Sequence, residues 1–186
     1  MVNNKQINLK ITNELNELVG KIDDKQIDDF NQLIQSANSI FLAAAGRSKL
    51  MLQAFGMRLM HLGFNVYVVG DVTTPAITDK DLLLIASGSG ETGSLVSMAN
   101  KAKKVNSKIA LVSTKNESSI ARLADVVVVI PTSTPKDSNQ KPLSIQPGAS
   151  LFEQSLLIFF DGFILTYMEN NNIKLEDIMI KHANLE

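Results

Sequence analysis

Residues 87–92 read Ser-Gly-Ser-Gly-Glu-Thr, which places three hydroxyls, two glycines and a carboxylate in six positions. A second stretch, Ala45-Gly46-Arg47-Ser48, adds a glycine, a guanidinium and a hydroxyl. Each follows an apolar run and precedes a helical pattern. At such a junction the first backbone N–H groups of the helix are free and the positive end of its dipole points outward, so an anion is favoured. Gly88 and Gly90 allow close backbone approach and positive φ. Ser87, Ser89 and Thr92 add donors. Four or five neutral donors at one spot suit the three terminal oxygens of a phosphate monoester. Ser and Thr also cap helices, but a cap needs one hydroxyl rather than three.

Gly88, Gly90 and Gly93 also spell G-x-G-x-x-G between a strand and a helix, the context of a dinucleotide-binding turn. The acidic residue that such a site places about twenty residues on is absent. The next apolar run ends instead in Ser113-Thr114-Lys115. The motif also follows the third apolar run, with a complete strand–helix–strand unit before it. Hydroxyls between the glycines suit a monoester better than a pyrophosphate.

Other chemistries are narrowed by composition. The chain has no Cys, which removes disulfides, thiolate nucleophiles and thiolate zinc sites. Its two His, His61 and His182, have no metal-ligand spacing, so no metal and no cofactor are expected. The net charge of −1 gives no field for nucleic acid or anionic lipid. The densest basic cluster, Lys101, Lys103 and Lys104, reads as a solvated helix face. The polar start of the chain lacks a signal-peptide core. The most apolar stretch, 151–168, carries Glu153, Gln154 and Asp161 and reads as a buried helix rather than a membrane span. A cytoplasmic protein is the resulting expectation.

The positioning elements follow from periodicity. Ile7, Ile11, Leu15 and Leu18 mark a helix over 4–21, and Ile27, Phe30, Leu33 and Ile34 another over 24–38. Five apolar runs follow, at 39–44, 65–69, 81–86, 108–113 and 125–130. Helical patterns lie over 47–62, 92–104 and, briefly, 118–123. Runs that are apolar throughout require cover on both faces, so the expected fold is a three-layer α-β-α sandwich around a parallel, doubly wound sheet. Residues 131–147 contain four Pro and no periodicity, as in functional or mobile loops. Helices over 148–169 and 174–183 close the chain, which shows no domain boundary. The helix over 148–169 is apolar nearly all round, and one sheet face covers only one stripe of it. A homo-oligomer is therefore expected.

In a doubly wound sheet, ligands bind beyond the carboxyl ends of the strands where strand order reverses. At these loops the chain resembles the sugar isomerase (SIS) family of phosphosugar-binding domains. The resemblance is carried by Ala45-Gly-Arg-Ser48, Phe55-Gly-Met-Arg-Leu-Met-His-Leu-Gly63, Ser87-Gly-Ser-Gly-Glu-Thr92 and Gln146-Pro-Gly-Ala-Ser-Leu-Phe-Glu-Gln154, in the family's order. One departure is Ala44-Ala45, where such loops often read Gly-Ala. The resemblance implies a five-stranded flavodoxin-like sheet and a homotetramer. It also implies a sugar-phosphate substrate, specifically interconversion of 3-hexulose 6-phosphate and fructose 6-phosphate, the step after formaldehyde fixation in the ribulose monophosphate pathway.

Moving a carbonyl between C3 and C2 needs one base, donors for the enediolate oxygen and no redox cofactor. The resemblance puts the base at Glu153. Ser150-Leu-Phe-Glu153 is equally a capping box, in which Glu reaches back to the N-cap amide. Glu91 is a second candidate base, although a carboxylate beside a phosphate is repelled unless it points away. Arg47 suits the phosphate or the enediolate oxygen, or is an exposed first-turn residue. With Gly46 and Ser48 it completes the expected substrate-binding set of Gly46, Arg47, Ser48, Ser87, Gly88, Ser89, Gly90, Glu91 and Thr92. His61 sits at a helix C-terminus, where the dipole favours it without catalytic duty. In related isomerases a His from a neighbouring subunit opens the sugar ring or shuttles protons, and His61 is the candidate here. His182, near the end of the chain, reads as structural or solvated. A non-catalytic phosphosugar sensor is the other class, but residues 1–38 lack the basic recognition helix that regulators of this kind carry.

Overall fold

The computed structural model describes residues 3–132 and 144–185. Two helices open it, α1 (Asn4–Val19) and α2 (Asp24–Ser36). Both start at polar caps: the Asn3 side chain accepts from Lys5 N–H at 2.8 Å, and that of Asp23 from Gln26 N–H at 3.0 Å. Then come β1 (Ile40–Ala44), α3 (Gly46–Leu62), β2 (Val66–Val68), β3 (Leu82–Ala86), α4 (Gly93–Lys104), β4 (Lys108–Ser113) and β5 (Val126–Val129). The chain closes with α5 (Ser150–Asn170) and α6 (Leu175–Met179).

All five strands are parallel, in the order β2-β1-β3-β4-β5. This is the flavodoxin-like order. Alternate side chains serve two cores. Ile40, Leu42, Leu82, Leu84, Ala110, Val112 and Val128 meet α1, α2, α3 and α5 through Phe30, Ile34, Phe55, Leu59, Leu156 and Phe160. Phe41, Ala43, Leu83, Ile85, Ile109 and Leu111 meet α4 and the 118–124 turn through Leu95, Ala99, Ala102 and Ile120. The sandwich therefore has three layers, as the apolar runs predict.

Packing of α3 fixes the site's frame. A Cβ on Gly56 would lie 2.5 Å from Leu42 Cδ1, so glycine lets α3 press onto β1. Phe55 of α3 stacks on Phe160 of α5 with centroids 4.4 Å apart. Removing a fully buried aromatic ring of this kind costs about 3–5 kcal/mol.

Two details differ from the sequence expectations. Residues 118–123 form turns rather than a helix: Ser118 Oγ caps a single turn by accepting from Ala121 N–H at 3.0 Å, and Asp125 N–H is already paired with Ile109 C=O at 2.8 Å, which leaves no room for a second turn. The last helix shrinks to α6, whose single buried side chain, Ile178, gives it little to pack on. Of the 131–147 loop, residues 133–143 lie outside the described residues.

Candidate active site

Strand order reverses between β1 and β3, which pair directly with Ala44 opposite Ala86. The loops that leave them, 45–48 and 87–92, therefore start side by side, about 4.8 Å apart. This is the crevice that the doubly wound pattern predicts.

The 87–92 loop is tied down along its length. Gly88 C=O accepts from Thr114 N–H at 3.2 Å, Ser113 Oγ at 3.1 Å and Thr114 Oγ1 at 2.7 Å. Gly90 N–H donates to Ser87 Oγ at 3.2 Å and Glu91 N–H to Ser89 Oγ at 3.2 Å. Gly90 has φ +63°, and a Cβ there would sit 2.1 Å from Ser118 Oγ. Only glycine fits. At Gly93 a Cβ would meet nothing within 4 Å. The third glycine of a dinucleotide turn exists for close helix–strand packing, and Gly93 has no such duty. The G-x-G-x-x-G spacing is thus incidental.

Three helices start at this end of the sheet without a side-chain cap. Ala45, Thr92 and Ala149 are the N-caps of α3, α4 and α5, and none makes a capping hydrogen bond from its side chain. The contrast is with α1 and α2, which are capped by Asn3 and Asp23. Uncapped first-turn N–H groups are what an anion requires. Gly46, at φ +59°, makes the sharp entry to α3, and Ser48 is buried in its first turn. Ala45 takes ordinary extended angles, φ −127° and ψ 154°, so the alanine departure strains nothing.

The start of α5 corrects the capping-box reading. Ala149, not Ser150, is the N-cap, and Glu153 does not reach back. Ser150 Oγ accepts from Arg47 Nη1 at 2.7 Å, and Glu153 Oε2 forms an ion pair with the same nitrogen at 2.9 Å. The Glu153 side chain is 12% exposed and that of Arg47 54%. Oε2 is buried and makes no aligned hydrogen bond to any described group. A carboxyl oxygen so placed keeps a lone pair free to take a proton. The box pattern failed as a signal because Arg47, 103 residues away from Ser150 in sequence, competes for both side chains.

The model of the SIS domain family matches residues 33–157. The chain belongs to the SIS domain family. Among relatives of this SIS chain, the 3-hexulose-6-phosphate isomerase of Bacillus subtilis (strain 168) is 44% identical over 177 residues, covering 95% of this chain and 96% of the relative. The 3-hexulose-6-phosphate isomerase of Mycobacterium gastri is 40% identical over 176 residues, with coverage of 95% and 88%. A crystal structure of a Methanococcus jannaschii protein, from which a function of 3-hexulose-6-phosphate isomerase was inferred, superposes with a TM-score of 0.83 at 31% identity, covering 97% of this chain and 99% of that one.

Within this SIS domain the remaining candidates separate. Glu91 is exposed and turned away from the crevice, accepting from Ser119 N–H at 2.7 Å. Its pKa is lowered by the Ser119 side chain and backbone, then by Arg122 and Lys115. It acts as a strut between two loops. His61 is not brought to Glu153 within one chain. It lies fourteen residues beyond Arg47 on α3, about 21 Å along the axis, buried against His182 with ring centroids 5.5 Å apart. Burial, then Arg58 and His182, lower its pKa. No group of three or more His, Cys, Asp or Glu side chains converges among the described residues.

Sequence reasoning missed the supports of the site: Ser113 and Thr114 under Gly88, Ser118 under Gly90, and Ser150 beneath Arg47. The hydroxyl-rich 113–119 stretch after β4 was the available signal.

Proposed function

We propose that this chain is a 3-hexulose-6-phosphate isomerase, interconverting 3-hexulose 6-phosphate and fructose 6-phosphate through an enediolate, and that it works in the cytoplasm as a homotetramer. One observation carries the reading of the site: a buried carboxylate, Glu153, held by Arg47 beside two hydroxyl-rich helix starts at the strand switch point. The names of the relatives support the substrate.

The phosphate monoester sits on the free N–H groups at the start of α4, with Ser87, Ser89 and Thr92 as hydroxyl donors and Gly88 and Gly90 admitting it closely. Gly46, Arg47 and Ser48 bound the other side. Glu91, engaged with Ser119, keeps its charge off the phosphate. Glu153 takes the C2 proton of the 3-ketose and returns a proton at C3, while O2–H gives up its proton and O3 gains one. No atom is gained or lost. Arg47 offsets charge developing on the enediolate oxygen. His61, buried against His182, is the residue that subunit contacts would have to uncover to serve a neighbouring subunit's site.

Exposed apolar side chains support the oligomer. Leu157, Ile158 and Leu165 of α5 are 36%, 41% and 61% exposed, and Leu50 and Met57 of α3 are 58% and 47% exposed. Exposed apolar side chains grouped on two neighbouring helices fit an interface.

The test is conversion of 3-hexulose 6-phosphate, made in place from ribulose 5-phosphate and formaldehyde, into fructose 6-phosphate. Turnover supports the proposal. Binding of fructose 6-phosphate without turnover contradicts it and favours a sensor.

A further inference from the structure

Glu14 lies on α1, outside the span matched by the SIS family. Its carboxylate nevertheless reaches the segment that leads into α5. Oε1 accepts from Ile145 N–H at 2.8 Å, and Oε2 accepts from Ser144 Oγ at 2.7 Å and Gln146 Nε2 at 3.0 Å. Ser144 Oγ in turn accepts from Gln146 N–H at 2.9 Å. One carboxylate thus holds three consecutive residues.

Apolar burial does not anchor this segment. Ile145 is 59% exposed, and Pro147 and Gly148 are exposed too. The hydrogen bonds to Glu14 are therefore its main restraint. Beyond Gln146 the connection is short and stiff. Pro147 fixes its own φ, Gly148 turns at φ +62°, and Ser150 N–H donates back to Pro147 C=O at 3.2 Å. A shift at 144–146 therefore carries to Ser150 and Glu153, the two side chains that meet Arg47. Burial raises the pKa of Glu14, but bonds from Ile145, Gln146 and Ser144 outweigh it and hold the carboxyl below its ordinary value. It is an anion throughout the neutral range.

We infer that Glu14 is a positioning residue for the isomerase reaction: by fixing 144–146 it sets the start of α5 and so the placement of Glu153 against Arg47. This rests on the proposed function for its kinetic readout, while its structural readout stands alone. Glu14→Gln keeps the shape but removes the charge from all three bonds, and it keeps them only by turning Ser144 and Gln146 from donors into acceptors. Ser144→Ala removes two bonds, its own to Glu14 and the one it accepts from Gln146 N–H, and disturbs α1 least.

The experiment compares wild type, Glu14→Gln, Ser144→Ala and the double variant by amide hydrogen exchange and by steady-state kinetics. Exchange at Ile145 and Gln146 is expected to quicken by at least about tenfold in Glu14→Gln, as the opening of a local unit requires, with β1, β3 and β4 unchanged. A misplacement of about 1 Å at a reacting group costs roughly 10²-fold, so kcat should fall by that order. KM should stay within about threefold, since the phosphate loop is untouched. Ser144→Ala should fall between, and the two changes should couple rather than add. Unchanged exchange at 145–146 overturns the inference whatever the activity. So does unchanged kcat in an active protein, or a loss confined to thermal stability. If wild type turns over no hexulose phosphate, the proposed function fails, and exchange alone then decides whether Glu14 holds the segment.

Discussion

Gly90→Ala puts the geometry of the 87–92 loop to a sharp test. Gly90 has φ +63°, where an alanine costs about 1–2 kcal/mol. Its new Cβ would lie 2.1 Å from Ser118 Oγ and 2.5 Å from Ser118 Cβ. Rotating the hydroxyl away does not clear the second contact, and it breaks the 3.0 Å bond from Ala121 N–H, worth about 1 kcal/mol. Ser118 is 2% exposed and has little room to retreat. Overpacking of this kind adds about 1–3 kcal/mol. The sum is about 3–6 kcal/mol, a large part of a typical domain's total of about 5–15 kcal/mol. Urea unfolding of the four members of a cycle with Ser118→Gly measures it. Removing the Ser118 side chain deletes both clashing atoms, so Gly90→Ala should then cost only its backbone term, leaving a coupling of about 2 kcal/mol or more. A cost below about 1 kcal/mol in the wild-type background, or an equal cost in both, would refute the argument.

Two further outcomes follow from the same geometry. Arg47→Ala removes the partner of Glu153 and Ser150 and should lower kcat/KM by about ten- to a hundredfold, the worth of one charge-assisted bond. Arg47→Lys should recover only part of it, because the ammonium lacks the planar fork. His61 bears on stability against pH. Its folded pKa is depressed, so the unfolded chain takes up the proton first. Stability should therefore fall as pH drops from about 6.5 toward the folded value, then level off. Thermal melts between about pH 7.5 and 5.5 should slope down in wild type and be flatter in His61→Gln.

The sheet was legible because its strands are short, continuous apolar runs, a pattern that only a parallel sheet covered on both faces accommodates. The 87–92 loop was legible because its hydroxyls and glycines are local in sequence. What stayed hidden involves partners remote in sequence. Ser150 and Glu153 spell a capping box, and only folding reveals that Arg47 claims both side chains. Ser118 reads as the start of a helix, and only the fold shows that Asp125 N–H pairs with Ile109 on β4 after a single turn. Glu14, on an amphipathic helix, is indistinguishable by pattern from any solvated glutamate.

The most direct test of the account is turnover of 3-hexulose 6-phosphate by wild type and Glu153→Gln side by side, with folding of both checked by circular dichroism. The account expects wild-type conversion to fructose 6-phosphate and a loss of roughly three decades in kcat for the variant, within the range for a lost general base. A folded Glu153→Gln protein that turns over at the wild-type rate would contradict it.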